Sequence, residues 1–454
     1  MFSKILIANR GEIALRIIRS AKELGIKTVA VFSEPDRESL HSIVADEKVC
    51  IGPRKASESY LNIPRIMSAA EITQADAIHP GYGFLAENPR FPEICENSGI
   101  TFIGPPSSII KLMGDKSRAR QEMKKARLPI IPGSDTIIED LLEAKKVIRK
   151  IGYPIILKAV AGGGGKGMRV AYSAAELDKQ FPIAQNEAKA AFGNPSLYLE
   201  RYIQDSRHIE IQVIGDQNGN VIAFAERECS IQRKHQKLIE ETPSPFIDEK
   251  IRKKMIKAAR DASKAIGYQS LGTFEFLVDE RKKFYFMEAN ARVQVEHPIT
   301  EMVYGIDLVK EQIKIAAGEK LILPPEMKPR GHSMECRINA EDAETFIPSP
   351  GKIDFLILPG GQGVRVDSAA YRGWEIPPDY DSLVAKIIVH ASNREESIQK
   401  MQIALESTSI GGIKSNIPLH LKILADKDFQ NGKFSTQFME KFLSKEKKGD
   451  IQNP

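Results

Sequence analysis

Lys158-Ala-Val-Ala-Gly-Gly-Gly-Gly-Lys-Gly-Met168 is the stretch on which the fold turns. Gly162, Gly164 and Gly167 stand in GxGxxG spacing, which in a dinucleotide-binding unit requires a helix directly after the loop. Here Met168-Arg-Val-Ala-Tyr172 follows, a run of strand character. Lys166 precedes Gly167 rather than Ser or Thr, so the loop is not a Walker A turn either. A strand, a glycine hairpin and a second strand form a different device. Such a flap lays backbone N–H groups over phosphates and keeps water out. Four consecutive glycines are entropically costly and weaken a strand, which argues against a plain surface hairpin. Lys158, on the incoming strand, can reach a phosphate as a point charge.

The flanks of this loop divide the chain. Residues 1–115 alternate strand and helix: Lys4 to Ala8 is apolar, Gly11 makes a turn, and Ile13, Ile17, Ala21 and Leu24 recur at helical spacing. Lys27 to Phe32 reads as the next strand, and Ala77-Ile-His-Pro-Gly-Tyr-Gly83 as a strand end running into a glycine turn. Repeated βα units imply a doubly wound parallel sheet. The first turn, Ala8-Asn-Arg-Gly-Glu12, lacks a dinucleotide fingerprint. Residues 116–130 read as a basic helical linker ended by Leu128-Pro129. Residues 131–203 form a small glycine-loop unit, with helices expected over about 139–150 and 183–191. Residues 204–445 form a larger α+β unit, with strands expected at Ile209–Gly215, Val221–Glu226 and Thr273–Val278. The charged tail from Ser444 is expected to fray, leaving 446–454 outside the packed domain.

Phe284-Tyr-Phe-Met-Glu-Ala-Asn-Ala-Arg-Val-Gln-Val-Glu-His297 bears the chemistry. After an apolar start, polar groups occupy every second position: Glu288, Asn290, Arg292, Gln294 and Glu296. If the strand continues, all five share one face. Oxygen donors beside a fixed cation suit a magnesium-bound polyphosphate and a small anion. Glu275, in the apolar strand Thr273-Phe-Glu-Phe-Leu277, needs a partner or a metal. A hairpin through Asp279–Lys283 would set it beside Glu288, and these two carboxylates with Asn290 could hold one or two Mg²⁺ ions. The alternative is a structural ion pair. Gln232-Arg-Lys-His-Gln-Lys237 is a basic cluster, and a charge run is commonly a solvated face. His208 and His235 count as functional only if the fold brings them to the flap.

The totals set bounds. A chain of 454 residues holds two to four domains. A net charge of +5 is mild at this length, and no basic stripe is interleaved with aromatics, which disfavours nucleic acid. Cys50, Cys95, Cys229 and Cys336 make no metal pattern and fit a reducing, cytoplasmic setting. No run is long enough to span a membrane and no signal peptide is visible, so the chain is expected to be complete at its start.

Together these segments resemble biotin carboxylase, an ATP-grasp ligase that serves acetyl-CoA carboxylase in fatty acid synthesis. The resemblance covers nearly the whole chain. It includes Ile7-Ala-Asn-Arg-Gly-Glu-Ile-Ala14, His79-Pro-Gly-Tyr-Gly-Phe-Leu85, Met113-Gly-Asp-Lys116, the glycine loop, Gln232–Lys237, Phe274-Glu-Phe276, residues 284–297 and Glu335-Cys-Arg-Ile-Asn-Ala-Glu-Asp342. It implies ATP contacts at Lys116, Lys158, His208 and the hinge Glu200, Arg201, Tyr202 and Ile203. Gly164 and Gly165 match the lid, and Gln232 and His235 the nucleotide side. Glu275, Glu288 and Asn290 match the sites of two Mg²⁺ (or Mn²⁺) ions. Lys237, Arg292, Gln294 and Val295 match a bicarbonate pocket, Glu296 the general base, and Arg337 the group facing the biotin ureido oxygen. Tyr82 and Gly83 match the biotin-side wall. The sequence departs from the common pattern at Ala161, Lys166 and Ala291, where glycine, arginine and threonine are usual. Ala161 would stiffen the lid slightly.

The implied reaction activates bicarbonate with ATP as carboxyphosphate and transfers the carboxyl group to biotin N1. No Ala-Met-Lys-Met motif is present, so biotin is expected on a separate biotin carboxyl carrier protein, with carboxyltransferase subunits as further partners. The resemblance also implies a homodimer. Open alternatives are the corresponding subunit of a split pyruvate or other acyl-CoA carboxylase, another ATP-grasp ligase, and a nucleotide-binding regulatory protein.

Overall fold

The computed structural model describes residues 1–134, 136–160, 168–324 and 327–452, with side chains to Lys445. In the N-terminal region, strands β1 (Lys4–Ile7), β2 (Lys27–Ser33), β3 (Glu47–Gly52), β4 (Ala77–His79) and β5 (Thr101–Phe102) are wholly parallel, in the order β3-β2-β1-β4-β5. Ile5 and Ile7 lie in one core cluster and Leu6 in another, so β1 is buried on both faces. The strand order reverses at β1 and β4. Ligands of doubly wound sheets bind outside the strand ends at such a switch point. There Asn9, Arg10 and the first turn of helix Gly11–Glu23, together with the turn Tyr82–Phe84, line the large cavity described below. Asn9 stitches the two loops together, donating from Nδ2 to the Pro80 and Tyr82 carbonyls, each at 2.7 Å.

The glycine-loop unit is a three-stranded antiparallel sheet. Strand β6 (Ile155–Ala159) lies between β7 (Met168–Ala171) and β8 (Leu197–Arg201). A strand therefore follows the loop, as the sequence predicts. Ile155, Leu157, Leu197 and Leu199 pack against Leu177, Phe181 and Ala184 of helix Ala174–Phe192. Gly164 and Gly165, with Ala161 and Lys166, lie outside the described residues.

The larger unit is built on an antiparallel sheet, nine-stranded among the described residues. Its strands include β9 (Arg207–Gly215), β10 (Val221–Ala223), β11 (Arg227–Arg233), β12 (Gln236–Thr242), β13 (Ser270–Val278), β14 (Phe284–Asn290) and β15 (His332–Asn339). The strands Leu383–Ala391 and Val364–Ser368 complete it beyond β15. Period-two alternation sorts its faces. Ile209, Ile211 and Val213 of β9, with Phe274 and Phe276 of β13, join the core with Met255 and Ala259. The residues between them, His208, Glu210, Gln212 and Glu275, turn to the opposite face.

Several expectations are corrected. The polar alternation after Phe284 is not one strand: β14 ends at Asn290, residues 291–296 form a turn, and helix His297–Tyr304 follows with Glu296 at its N-cap. The basic helix stops at Lys125 rather than near 130. The strand begun at Val221 ends at Ala223. The helix expected over 183–191 begins at Ala174, where the Ser173 hydroxyl accepts from the Glu176 N–H, and it continues through Pro182. Proline forfeits one backbone bond there, and burial of Leu177, Phe181, Ala184 and Ala188 offsets the loss. The tail expected to fray is helical from Phe438 to Gln452. No described helix is long and apolar enough to cross a membrane, and all four cysteines are unpaired.

Candidate active site

A cavity of about 2220 Å³ lies between the flap sheet, the body sheet and the switch-point loops. Lys116, Lys158, Glu200, Arg201, Tyr202, Ile203, His208, Gln232, His235, Lys237, Glu275, Glu288, Asn290, Arg292, Gln294, Val295, Arg337, Tyr82 and Gly83 all line it. Glu296 lies just beneath the wall, without solvent exposure.

Antiparallel pairing makes the acidic centre. Glu275 on β13 is opposite Glu288 on β14 and, on its other side, opposite Glu210 on β9. His208, also on β9, meets Glu275 Oε2 at 3.0 Å, and Gln232 Nε2 meets His208 Nδ1 at 2.9 Å. Lys237 Nζ, from β12, contacts Glu210 at 2.7 Å and Glu275 at 3.3 Å, and bonds Glu296. Burial alone would lower the Lys237 pKa, but these carboxylates outweigh it and hold the ammonium charged. The three acids therefore converge on one buried cation. Burial would likewise raise the Glu275 pKa, yet Lys237 and His208 depress it. Burial opposes ionisation of Glu296 too, and Lys237, Arg337 and Arg227 hold its pKa well below the usual carboxylate range.

Arg337, on β15, donates Nε to Glu240 at 2.6 Å and Nη2 to Glu296 at 2.8 Å. Arg292 donates Nη1 to Gln294 Oε1 at 2.8 Å, Nη2 to Asn290 Oδ1 at 3.1 Å and Nε to Glu87 at 2.8 Å. Lys116 Nζ pairs with Glu288 at 3.1 Å, and Lys158 bonds Glu200. Lys234 and His235 form the tip of the β11–β12 hairpin with positive φ of 48° and 65°. That tip sets His235 on the cavity wall.

The donor set fits a hard divalent cation. Glu288 is 35% exposed to the cavity and its ion partner is the exposed Lys116 ammonium. Asn290 adds an amide oxygen two residues on. Glu275 is more enclosed, since Lys237, Asn290 Nδ2 and Gln294 Nε2 all approach its Oε1.

Sequence reasoning missed the residues that orient this set. Glu210 could have been found by the alternation His208, Glu210, Gln212 along β9. Arg227, fully buried, bonds Glu210, Gln212 at 2.8 Å and Thr300 at 3.0 Å from the first position of β11, just past the strand expected over Val221–Glu226. Glu240 is buried beside Arg337, and burial pushes its pKa up to about 7 despite that guanidinium. Glu87 sits on a loop in the first unit, where nothing local marks it.

A small three-stranded sheet facing a larger antiparallel sheet, with lysines and carboxylates lining the cleft between them, is the ATP-grasp arrangement. Family models for the biotin carboxylase N-terminal domain, the carbamoyl-phosphate synthase L chain ATP-binding domain and the biotin carboxylase C-terminal domain match residues 1–110, 115–323 and 335–441. The biotin carboxylase of Haemophilus influenzae is 54% identical over 445 residues, 98% of this chain and 99% of that one. A pyruvate carboxylase subunit of Methanothermobacter thermautotrophicus is 52% identical over 444 residues, 97% and 90% of the two chains. The biotin carboxylase domain dimer of Hydrogenobacter thermophilus 2-oxoglutarate carboxylase, solved with MgADP, ADP and bicarbonate, superposes with a TM-score of 0.91 at 51% identity, covering 97% of this chain and 98% of that one. The chain belongs to the biotin carboxylase family.

Proposed function

We propose that this chain carboxylates N1 of biotin borne on a separate carrier protein, using ATP and bicarbonate, as the first half-reaction of acetyl-CoA carboxylase. The observation that carries the reading is the position of Glu296. One buried carboxylate touches both Lys237, beside the acidic centre, and Arg337, toward the switch-point loops. A proton taken on the bicarbonate side is thereby coupled to the charge available on the biotin side.

Arg292, Gln294 and the Val295 backbone hold bicarbonate, and Lys237 adds charge. When bound, Mg²⁺ on Glu275, Glu288 and Asn290 supplies positive charge to the phosphates. Lys116, at the start of helix Lys116–Lys125, and Lys158, on the flap sheet, reach the phosphates, and Glu200–Ile203, His208, Gln232 and His235 wall the nucleotide. A bicarbonate oxygen attacks the γ-phosphorus, ADP leaves, and Glu296 takes the bicarbonate proton. Carboxyphosphate breaks to CO₂ and phosphate. The phosphate removes the N1 proton, and N1 attacks CO₂. Arg337 stabilises the negative ureido oxygen, with Tyr82 and Gly83 against the ring. The enzyme acts as a homodimer with a biotin carboxyl carrier protein and carboxyltransferase subunits as partners.

A second reading changes only the final acceptor. Relatives named for pyruvate and 2-oxoglutarate carboxylases match about as well as the biotin carboxylase. The test is carboxylation of free biotin by the purified chain with labelled bicarbonate and ATP. Acid-labile label on biotin, abolished by EDTA and restored by Mg²⁺, is expected. ADP formation indifferent to biotin and bicarbonate would refute the assignment, and activity surviving EDTA would refute the metal.

A further inference from the structure

Lys386, on the strand Leu383–Ala391, has a side chain with no solvent exposure and no part in the scheme above. Its strand pairs it with Arg337 on one side and Asp367 on the other. The Nζ group donates to the Val295 carbonyl at 2.9 Å. It also faces Glu12 Oε2 at 3.2 Å, as an ion pair, and Asp367 Oδ2 at 3.7 Å. Asp367 is already held by two nitrogens of Arg365. The close contacts particular to Lys386 are therefore Glu12 and Val295. Glu12 lies in the first turn of helix Gly11–Glu23, and its other oxygen accepts the Tyr82 hydroxyl.

A fully buried ammonium is costly, and an apolar side chain of similar length would fill the space at less cost. Burial opposes its charge, but Glu12, Glu335 and Asp367 raise its pKa and keep it protonated. Val295 sits in the turn 291–296, which follows the last ladder bonds of β14. That turn is tethered by Glu87, accepting from the Ala291 N–H at 3.1 Å, and by Lys386 at Val295. Both tethers come from outside the strand.

We infer that Lys386 is a positioning residue for the anion pocket: anchored by Glu12, its ammonium fixes the Val295 carbonyl and so sets the turn that carries Arg292, Gln294 and Glu296. The same chain of contacts ties that turn to Tyr82 on the opposite wall. The inference rests on reading the turn as the bicarbonate pocket.

The test follows ADP formation by the full-length chain with Mg²⁺ and free biotin, varying bicarbonate and ATP separately. Four proteins are compared: the unchanged chain, Lys386→Met, Glu12→Gln and the double variant. Bicarbonate- and biotin-dependent turnover by the unchanged chain establishes the reaction whatever the variants do; its absence removes both the reaction and this inference. Lys386→Met should raise the bicarbonate KM about tenfold, the loss of one charged hydrogen bond, with the ATP KM within about twofold. Glu12→Gln should raise the bicarbonate KM less. The double variant restores charge balance but not the bond to Val295, so its bicarbonate KM should stay raised. An unchanged bicarbonate KM in Lys386→Met, parallel rises in both KM values, or recovery in the double variant overturns the inference. Should Lys386→Met not fold, Glu12→Gln, which keeps the side-chain size and an acceptor for Tyr82, decides by the same split between bicarbonate and ATP.

Discussion

Glu296 shows how one residue is tuned by its neighbours. Without solvent, a carboxylate would hold its proton; Lys237, Arg337 and Arg227 reverse that and keep it ionised. As held, it is ready to accept a proton but is a weak base. In the proposed reaction its basicity would rise if Arg337 turned its charge toward a substrate oxygen, which would couple proton removal to biotin arrival. The nearby Cys229 thiol offers no substitute, because burial and then Glu210 push its pKa well above the ordinary thiol value. Glu296→Gln should therefore cut biotin-dependent turnover by about a hundredfold or more with the ATP KM little changed, read by steady-state kinetics. Turnover within about tenfold of the unchanged chain would assign the proton to another group.

At the scale of elements, the turn after β4 aims Tyr82 and Gly83, the proposed biotin-side wall, into the cavity. Gly81 has φ of +63°, and a Cβ there would lie 2.9 Å from Asn9 Nδ2, the group that stitches Pro80 to Tyr82. Gly83 has φ of +68°, but a Cβ there would meet nothing within 4 Å. Both alanine substitutions incur backbone strain of roughly 1 kcal/mol, and only Gly81→Ala also displaces Asn9. Gly81→Ala should thus lower the urea midpoint more than Gly83→Ala and raise the biotin KM, leaving the ATP KM alone. Equal effects of the two would show that the Asn9 contact does not set the turn.

For the whole molecule, buried neutral histidines impose an acid limit. Burial lowers His41 and His420 from the ordinary 6.5 to about 4, and His79 to about 3. The unfolded chain takes up protons that the folded chain refuses. Their contribution is complete above about 6.5 and is lost as pH falls toward 4, up to about 3 kcal/mol for each of His41 and His420. The urea midpoint should fall between pH 7.5 and pH 5, and fall less steeply in the double variant His41→Gln, His420→Gln; an equal fall in that variant would place the acid sensitivity elsewhere. At this scale, too, the division between sequence and structure is plain. The strand after Gly167, the βα alternation and the pairing of Glu275 with Glu288 follow from side-chain period and turn chemistry, which are local properties. Resemblance, not period, pointed to bicarbonate and biotin. The end of β14 at Asn290, Glu87 beside Arg292 from 205 residues away and Lys386 at Val295 were decided by tertiary structure alone. Buried charges must find partners wherever the fold brings them, and such pairings leave no spacing in the chain to read.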